Sequence, residues 1–130
     1  MQEQLSLYNT LTRSIIGCAM EVHSHLGPGL LESAYHECLC YELAASGLKF
    51  ESQSEQPIQY KGHIKNRAYF ADIIVEKSVV LELKAVEEIH ELHVSQILTY
   101  MKLGDYKVGL LLNFNVKSMR QGIKRFVNKY

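Results

Sequence analysis

The sequence predicts an α/β (α+β) fold, a run of strands combined with helices. Three observations predict it. Residues up to Ala45 carry apolar groups at helical spacing, the middle of the chain changes to extended β-branched runs, and a helical stretch separates the runs Val79–Val86 and Lys107–Phe114. At 130 residues the chain has the length of one domain, expected to occupy residues 1–130.

A first helix is expected from about Leu5 to Leu26, because Leu11, Ile15, Cys18, Ala19 and Val22 fall on one stripe. Gly27-Pro28-Gly29 breaks it, glycine supplying backbone freedom and proline fixing φ for a new start. A second helix is expected from about Leu30 to Ala45, with Leu31, Ala34, Tyr35, Cys38 and Leu39 on one side and Ser46-Gly47 as its stop. Phe50–Tyr60 reads as extended, with Pro57 demoting part of it to a sheet edge. Lys61-Gly62 turns into a strand over about Ile64–Val75, and Glu76-Lys77-Ser78 turns back into Val79–Val86, apolar enough on both faces for a central strand. Glu88–Leu103 reads as a helix, Lys107–Phe114 as a buried strand, and Ser118–Val127 as a last helix with Met119, Ile123 and Phe126 inward.

The composition, 47% hydrophobic and 22% charged, is that of an ordinary soluble domain. No stretch is apolar enough to span a bilayer and no signal-peptide pattern opens the chain, so a cytoplasmic location without membrane contact is expected. Cys18, Cys38 and Cys40 form no CxxC pair and sit among helical apolar residues, where cysteine is usually a small buried hydrophobe. The formal net charge of zero speaks against strong autonomous binding to nucleic acid. Charge is unevenly spread, however: Lys117, Arg120, Lys124, Arg125 and Lys129 form an acid-free tail, which suits a phosphate grip or a solvated face equally.

Function shows in three charges that interrupt apolar runs. In Val79–Val86, Glu82 and Lys84 share one face while Leu81, Leu83 and Ala85 take the other. Asp72 is a lone acid in Tyr69–Val75, and a hairpin turning near Lys77 sets it beside Glu82. Two carboxylates held close repel unless a proton or a cation lies between them. Mg²⁺ takes a few carboxylate oxygens with waters and phosphate, so Asp72, Glu82 and the Leu83 carbonyl form a suitable ligand set. Lys84 would then orient or deprotonate the attacking water, or offset charge on a phosphate. The structural alternative is an internal ion pair between Lys84 and one of the acids. The three-residue cluster favours the site.

Asp72 followed by Glu82-Leu83-Lys84 resembles the D-x(n)-E-x-K core of the PD-(D/E)XK nuclease superfamily. Gly29-Leu30-Leu31-Glu32-Ser33-Ala34-Tyr35 reads as G-x-x-E-x-x-Y, the motif of the GxxExxY protein family within it. The similarity extends through Glu21-Val22-His23, Gln96–Tyr100 and Leu110–Asn115, and so over nearly the whole chain. The resemblance implies a mixed central sheet flanked by helices, with a restriction-endonuclease-like αβββαβ core. It also implies an acid on an early helix aimed at the metal, a position that Glu32 matches. Helical spacing puts Glu32 and Tyr35 on one face, so Tyr35 positions Glu32 or packs beneath it, and it is expected among the residues that position substrate. Without the resemblance, Glu32 reads as a first-turn acid favoured by the helix dipole.

Gln96 and Tyr100 are similar to the Q-x-x-x-Y helix signature of RecB-type exonuclease domains and in that reading contact the substrate, with His93 one turn away. His23 is similar to the helical histidine that ligates metal in those domains, although an isolated histidine on a helix is more often structural. His90-Glu91-Leu92-His93 is not the zinc motif HExxH, since its histidines are three apart. One departure stands out: many relatives carry a basic residue where this chain has Phe70, and Arg67 is the nearest substitute.

The reading that follows is a Mg²⁺- or Mn²⁺-dependent nuclease acting on phosphodiester bonds, in DNA before RNA. Its rival is a catalytically silent module that binds nucleic acid or protein on the same scaffold. Action as a homodimer or with a protein partner is a third expectation.

Overall fold

The computed structural model describes the backbone of residues 2–128 and the side chains of residues 8–66 and 69–128. Two helices come first, α1 (Gln2–Leu26) and α2 (Glu32–Ala45), followed by three strands, β1 (Phe50–Tyr60), β2 (His63–Val75) and β3 (Val79–Lys84). Helix α3 (Glu91–Gly104) leads to β4 (Val108–Asn113), and a 3₁₀ turn (Met119–Gly122) leads to β5 (Ile123–Val127). The sheet runs in the order β1-β2-β3-β4-β5, every neighbouring pair antiparallel except β3 and β4. That pair is parallel because α3 carries the chain back across the sheet between them. A mixed sheet flanked by helices is therefore the fold, as the resemblance implies.

Pro57 sits where its missing N–H is harmless. Strand β1 is an edge, and its register with β2 shifts between Gln56 and Ile58. The central strands β3 and β4 are almost wholly buried, and apolar but for Glu82, Lys84 and Asn113. Helix α2 begins at Glu32 and α3 at Glu91, each slightly later than their apolar spacing suggests.

The expected last helix over Ser118–Val127 is corrected. Only Met119–Gly122 turns helically, and Ile123–Val127 is a strand antiparallel to β4. Strand β4 is buried along its whole length, so the N–H and C=O groups of its outer edge need a partner away from water. Strand β5 supplies it. Lys124 and Arg125 are exposed on this new edge, where charge discourages pairing with another chain.

One face of the sheet packs against α1 and α2 through Ile15, Val22, Leu39, Leu43, Ile73, Leu81, Leu83 and Leu110. The other face packs against α3 through Ala71, Ile74, Val80, Ile97, Met101 and Leu111. Gly109 permits the second contact, since an added Cβ would meet the Met101 sulfur at 2.6 Å. No helix among the described residues is long and apolar enough to cross a membrane.

Candidate catalytic site where two strands part

The β2–β3 ladder pairs Val75 with Val79, Ile74 with Val80 and Ile73 with Leu81, and goes no further. The next opposed residues are Asp72 and Glu82, and here side chains replace the ladder. The Asp72 N–H donates to Glu82 Oε2 at 2.9 Å, and the Leu83 N–H donates to Asp72 Oδ2 at 2.9 Å. Each carboxylate thus holds the other residue's strand in place. Asp72 Oδ1 and Glu82 Oε1 have no hydrogen-bond donor among the described residues.

The alternation of β2 slips at this point. Tyr69 and Ala71 face α3, but Ile74 rather than Ile73 continues that face. On the other side of β2, Gln53 lies opposite Asp72 and does not pair with it, and Gln53 has a left-handed φ of 49°. A non-glycine residue in that region costs free energy, and such positions gather at functional sites.

Glu82 is only 3% exposed. Burial, then the adjacent Asp72 carboxylate, pushes its pKa up to about 8. Burial also raises Asp72, while the Leu83 N–H, Lys84 and His36 act the other way. Glu32 keeps contact with solvent on the cleft wall, yet its partial burial and the charge of Asp72 raise it too. Lys84 is half-buried and stabilises all three carboxylates electrostatically. Its ammonium makes no ion pair within 4 Å among the described residues. The internal ion pair, the alternative to a site, is not formed.

The G-x-x-E-x-x-Y segment acts as a clamp that aims Glu32. Gly27 and Gly29 take φ of 66° and 99°, which only glycine adopts without cost. The Tyr35 hydroxyl donates to the Gly27 carbonyl at 2.6 Å and accepts from the Leu30 N–H at 3.1 Å. Its ring is fully buried and stacks on Phe114, centroids 4.7 Å apart. Tyr35 is therefore corrected from a residue that positions substrate to one that fixes the loop before Glu32, because a ring with no exposed surface meets no substrate.

From the opposite side, α3 presents Gln96 and Tyr100 on one face. Gln96 Nε2 donates to the Tyr100 hydroxyl at 2.8 Å. The Tyr100 ring stacks on Tyr69 at 4.2 Å, and Glu82 and Asp72 are close enough to raise its pKa after burial and the Gln96 bond have acted. His93 Nδ1 accepts from the His90 N–H at 3.1 Å and so closes the first turn of α3. His93 also senses the charge of Lys84, which together with burial lowers its pKa. His23 has a different occupation: its Nε2 meets the Val116 carbonyl at 2.7 Å, which ties α1 to the loop after β4. Phe70 is exposed, and the Arg67 side chain lies outside the described residues.

Two polar residues escaped the sequence reading. Asn113 is buried at the end of β4, and its amide donates to the Val86 carbonyl and accepts from the Val86 N–H, which fixes the chain just beyond Lys84. A lone amide closing the apolar run Val108–Asn113 was its signal. His36 lies one turn from Glu32 on α2 and reaches the Asp72 carbonyl at 3.2 Å.

A cleft of about 960 Å³ opens from this point, lined by Glu32, His36, Tyr41, Phe50, Gln53 and Asp72 among others. Among the described residues, no three His, Cys, Asp or Glu side chains close around one point as a ready metal cage. The donor set is nevertheless a fit for Mg²⁺ or Mn²⁺. Two carboxylates each have a free oxygen, and strand geometry turns the Leu83 carbonyl to the same edge as its N–H, leaving the remaining ligands to water and phosphate.

A family model for the PD-(D/E)XK nuclease superfamily matches residues 9–126. The chain belongs to this superfamily. The matched span contains the divergence of β2 and β3, with Asp72 on one strand and Glu82 and Lys84 on the other. A solved structure entitled "Crystal structure of SSO0001" superposes with a TM-score of 0.50 at 21% identity. The match covers 75% of this chain and 50% of that one, so this superfamily member spans half the length of its structural relative. At that identity the likeness concerns the fold alone. No curated protein sequence matches the chain.

Proposed function

We propose that this superfamily member hydrolyses phosphodiester bonds in DNA with Mg²⁺ or Mn²⁺ as cofactor. The observation that carries the reading is the carboxylate pair inserted between parted strands beside a lysine that forms no ion pair among the described residues. Burying like charges so close is unfavourable in a residue set with only a structural role, and a divalent ion removes the cost.

Asp72, Glu82 and the Leu83 carbonyl would hold the ion, with Glu32 approaching from α2. A divalent ion in that place makes a water acidic near neutral pH and offsets charge on the phosphate. Lys84, whose ammonium forms no ion pair within 4 Å among the described residues, orients the water and stabilises the charge that builds on the phosphate. Gln96 and Tyr100, locked together, line the approach from α3 and position the strand. His93 stands beside them.

The test is cleavage of single-stranded, duplex and branched DNA by purified protein in Mn²⁺, beside Lys84→Ala. Cleavage by the natural chain and its loss in the variant are expected. Equal cleavage by both would sink the proposal.

A second reading, a silent module on the same scaffold that binds nucleic acid or protein, is favoured in its protein-binding form by one observation. The net charge is zero, and the cleft carries Glu32, Glu37 and Asp72 without a lysine or arginine. Filter binding in EDTA over a salt series, followed by addition of Mn²⁺, separates the two, since a silent module that holds DNA leaves it uncut when the ion is added. Light scattering addresses action as a homodimer.

A further inference from the structure

We infer that His36 is a positioning residue for the metal site, holding the Asp72 backbone by its carbonyl where the sheet no longer does. The inference deepens the metal-dependent reading and rests on it.

Asp72 sits at a break on both of its sides. Towards β3, the ladder ends at Ile73 and the Asp72 N–H turns to a Glu82 side-chain oxygen. Towards β1, the pairs Ser52 with Ile73 and Ser54 with Ala71 flank it, while Gln53 and Asp72 themselves do not pair. A ligand residue in such a place needs other restraints, because a small change in backbone angle moves its carboxylate off the ion. His36 supplies one from a different element. Its Nε2 lies 3.2 Å from the Asp72 carbonyl oxygen and 3.2 Å from Ser52 Oγ.

The chemistry fixes the tautomer. A carbonyl oxygen only accepts, so Nε2 carries the hydrogen. In the neutral ring Nδ1 is then an acceptor, and the Cys40 sulfur lies 4.0 Å from it. Burial, the leading influence on the Cys40 thiol, raises its pKa and keeps it a donor. Three groups around His36 thus agree on one ring orientation: Asp72, Ser52 and Cys40. Glu32 and His36 are also four residues apart on one helix, so the same ring ties the helix that carries Glu32 to the strand that carries Asp72. Outer groups that orient a ligand commonly change metal affinity 10- to 100-fold when removed.

The experiment is Mn²⁺ binding by calorimetry and paramagnetic resonance, well below the melting temperature, for the natural chain, His36→Ala, His36→Gln and Tyr41→Ala. His36→Ala is expected to weaken binding by roughly 10- to 100-fold. His36→Gln, whose amide Nε2 can donate to the same carbonyl, restores most of the loss. Tyr41→Ala, on the wall of the same cleft, leaves affinity unchanged. Nitrogen NMR of the natural chain without metal should show the hydrogen of His36 on Nε2, a readout that needs no variant to fold.

Unchanged affinity in His36→Ala, equal weakening in His36→Gln or Tyr41→Ala, or an Nε2 that carries no hydrogen would each overturn the inference alone. Failure of the natural chain to bind Mn²⁺ at all would overturn the metal reading as well.

Discussion

The two faces of the sheet are built to different ends. On the α1/α2 face, Ile15, Leu39, Leu43, Leu81, Leu83 and Leu110 make a continuous apolar core with Tyr35 and Phe114 stacked inside it. On the α3 face the apolar cluster is smaller, and at its border the strands part around Asp72, Glu82 and Lys84. One face gains free energy from every residue it buries. The other holds two acids close together, one of them with its pKa raised to about 8 by burial and by its neighbour. The contrast teaches that stability from the first face is what lets the second keep groups that repel in the absence of a cation.

The comparison breaks most visibly at Lys84. Lys84→Ala is predicted to lower the rate of DNA cleavage by about 10²- to 10⁴-fold, because the general acid–base or charge-offsetting group is gone. Its melting temperature should move little, since the ammonium forms no ion pair within 4 Å among the described residues and acts on the carboxylates only at longer range. Rate and melting measured side by side decide this, and a large fall in both would make Lys84 part of the scaffold.

Leu39→Ala, on the apolar face, should do the reverse. Emptying a fully buried leucine position costs about 3 kcal/mol, read as a shift in the urea midpoint, while Mn²⁺ affinity measured below the transition stays as it was. A changed affinity would mean that the two faces are not independent.

Glu82→Gln sharpens the contrast by changing sign with pH. The folded pKa of Glu82, about 8, lies above its ordinary value of 4.5, so its contribution to stability is fully present below 4.5 and lost as pH rises towards 8. The metal-free natural chain should therefore melt lower at pH 8 than at pH 5. Glu82→Gln should leave melting at pH 5 nearly unchanged and raise it at pH 8 by about 5 °C. Calorimetry in EDTA checks both, and a natural chain that grows more stable across this interval would contradict the burial argument. The smallest effect is expected at Gln96: Gln96→Ala loses one side-chain hydrogen bond to Tyr100, about tenfold in kcat/KM. Steady-state cleavage kinetics read it, and an unchanged kcat/KM would remove Gln96 from the substrate path.

Much of this layout was legible because physics leaves few choices for a charge in an apolar run. Glu82 and Lys84 in Val79–Lys84, and Asp72 ten residues earlier across a turn, mark the candidate site in the sequence itself. Proline at 57 announced an edge and its irregularity. The last strand was not legible, because Met119, Ile123 and Phe126 mimic helical spacing, and the deciding fact is the unpaired edge of β4, which is tertiary. Tyr35 was misplaced for a related reason. Helix geometry puts it on the Glu32 side, but whether a tyrosine faces a substrate or the core depends on Phe114, which lies far along the chain. His36 and Asn113 escaped because both act on backbone groups, whose need for a partner shows only once the sheet has been seen to stop.

The most direct test of the carboxylate pair as a metal site is Mn²⁺ titration calorimetry at pH 7, in two buffers of different ionisation enthalpy, on the natural chain and on Asp72→Asn. The account predicts one ion per chain and release of a proton from Glu82 as the ion enters, with binding abolished in the variant. A natural chain that takes up no Mn²⁺, or an Asp72→Asn variant that binds it as tightly, would contradict it.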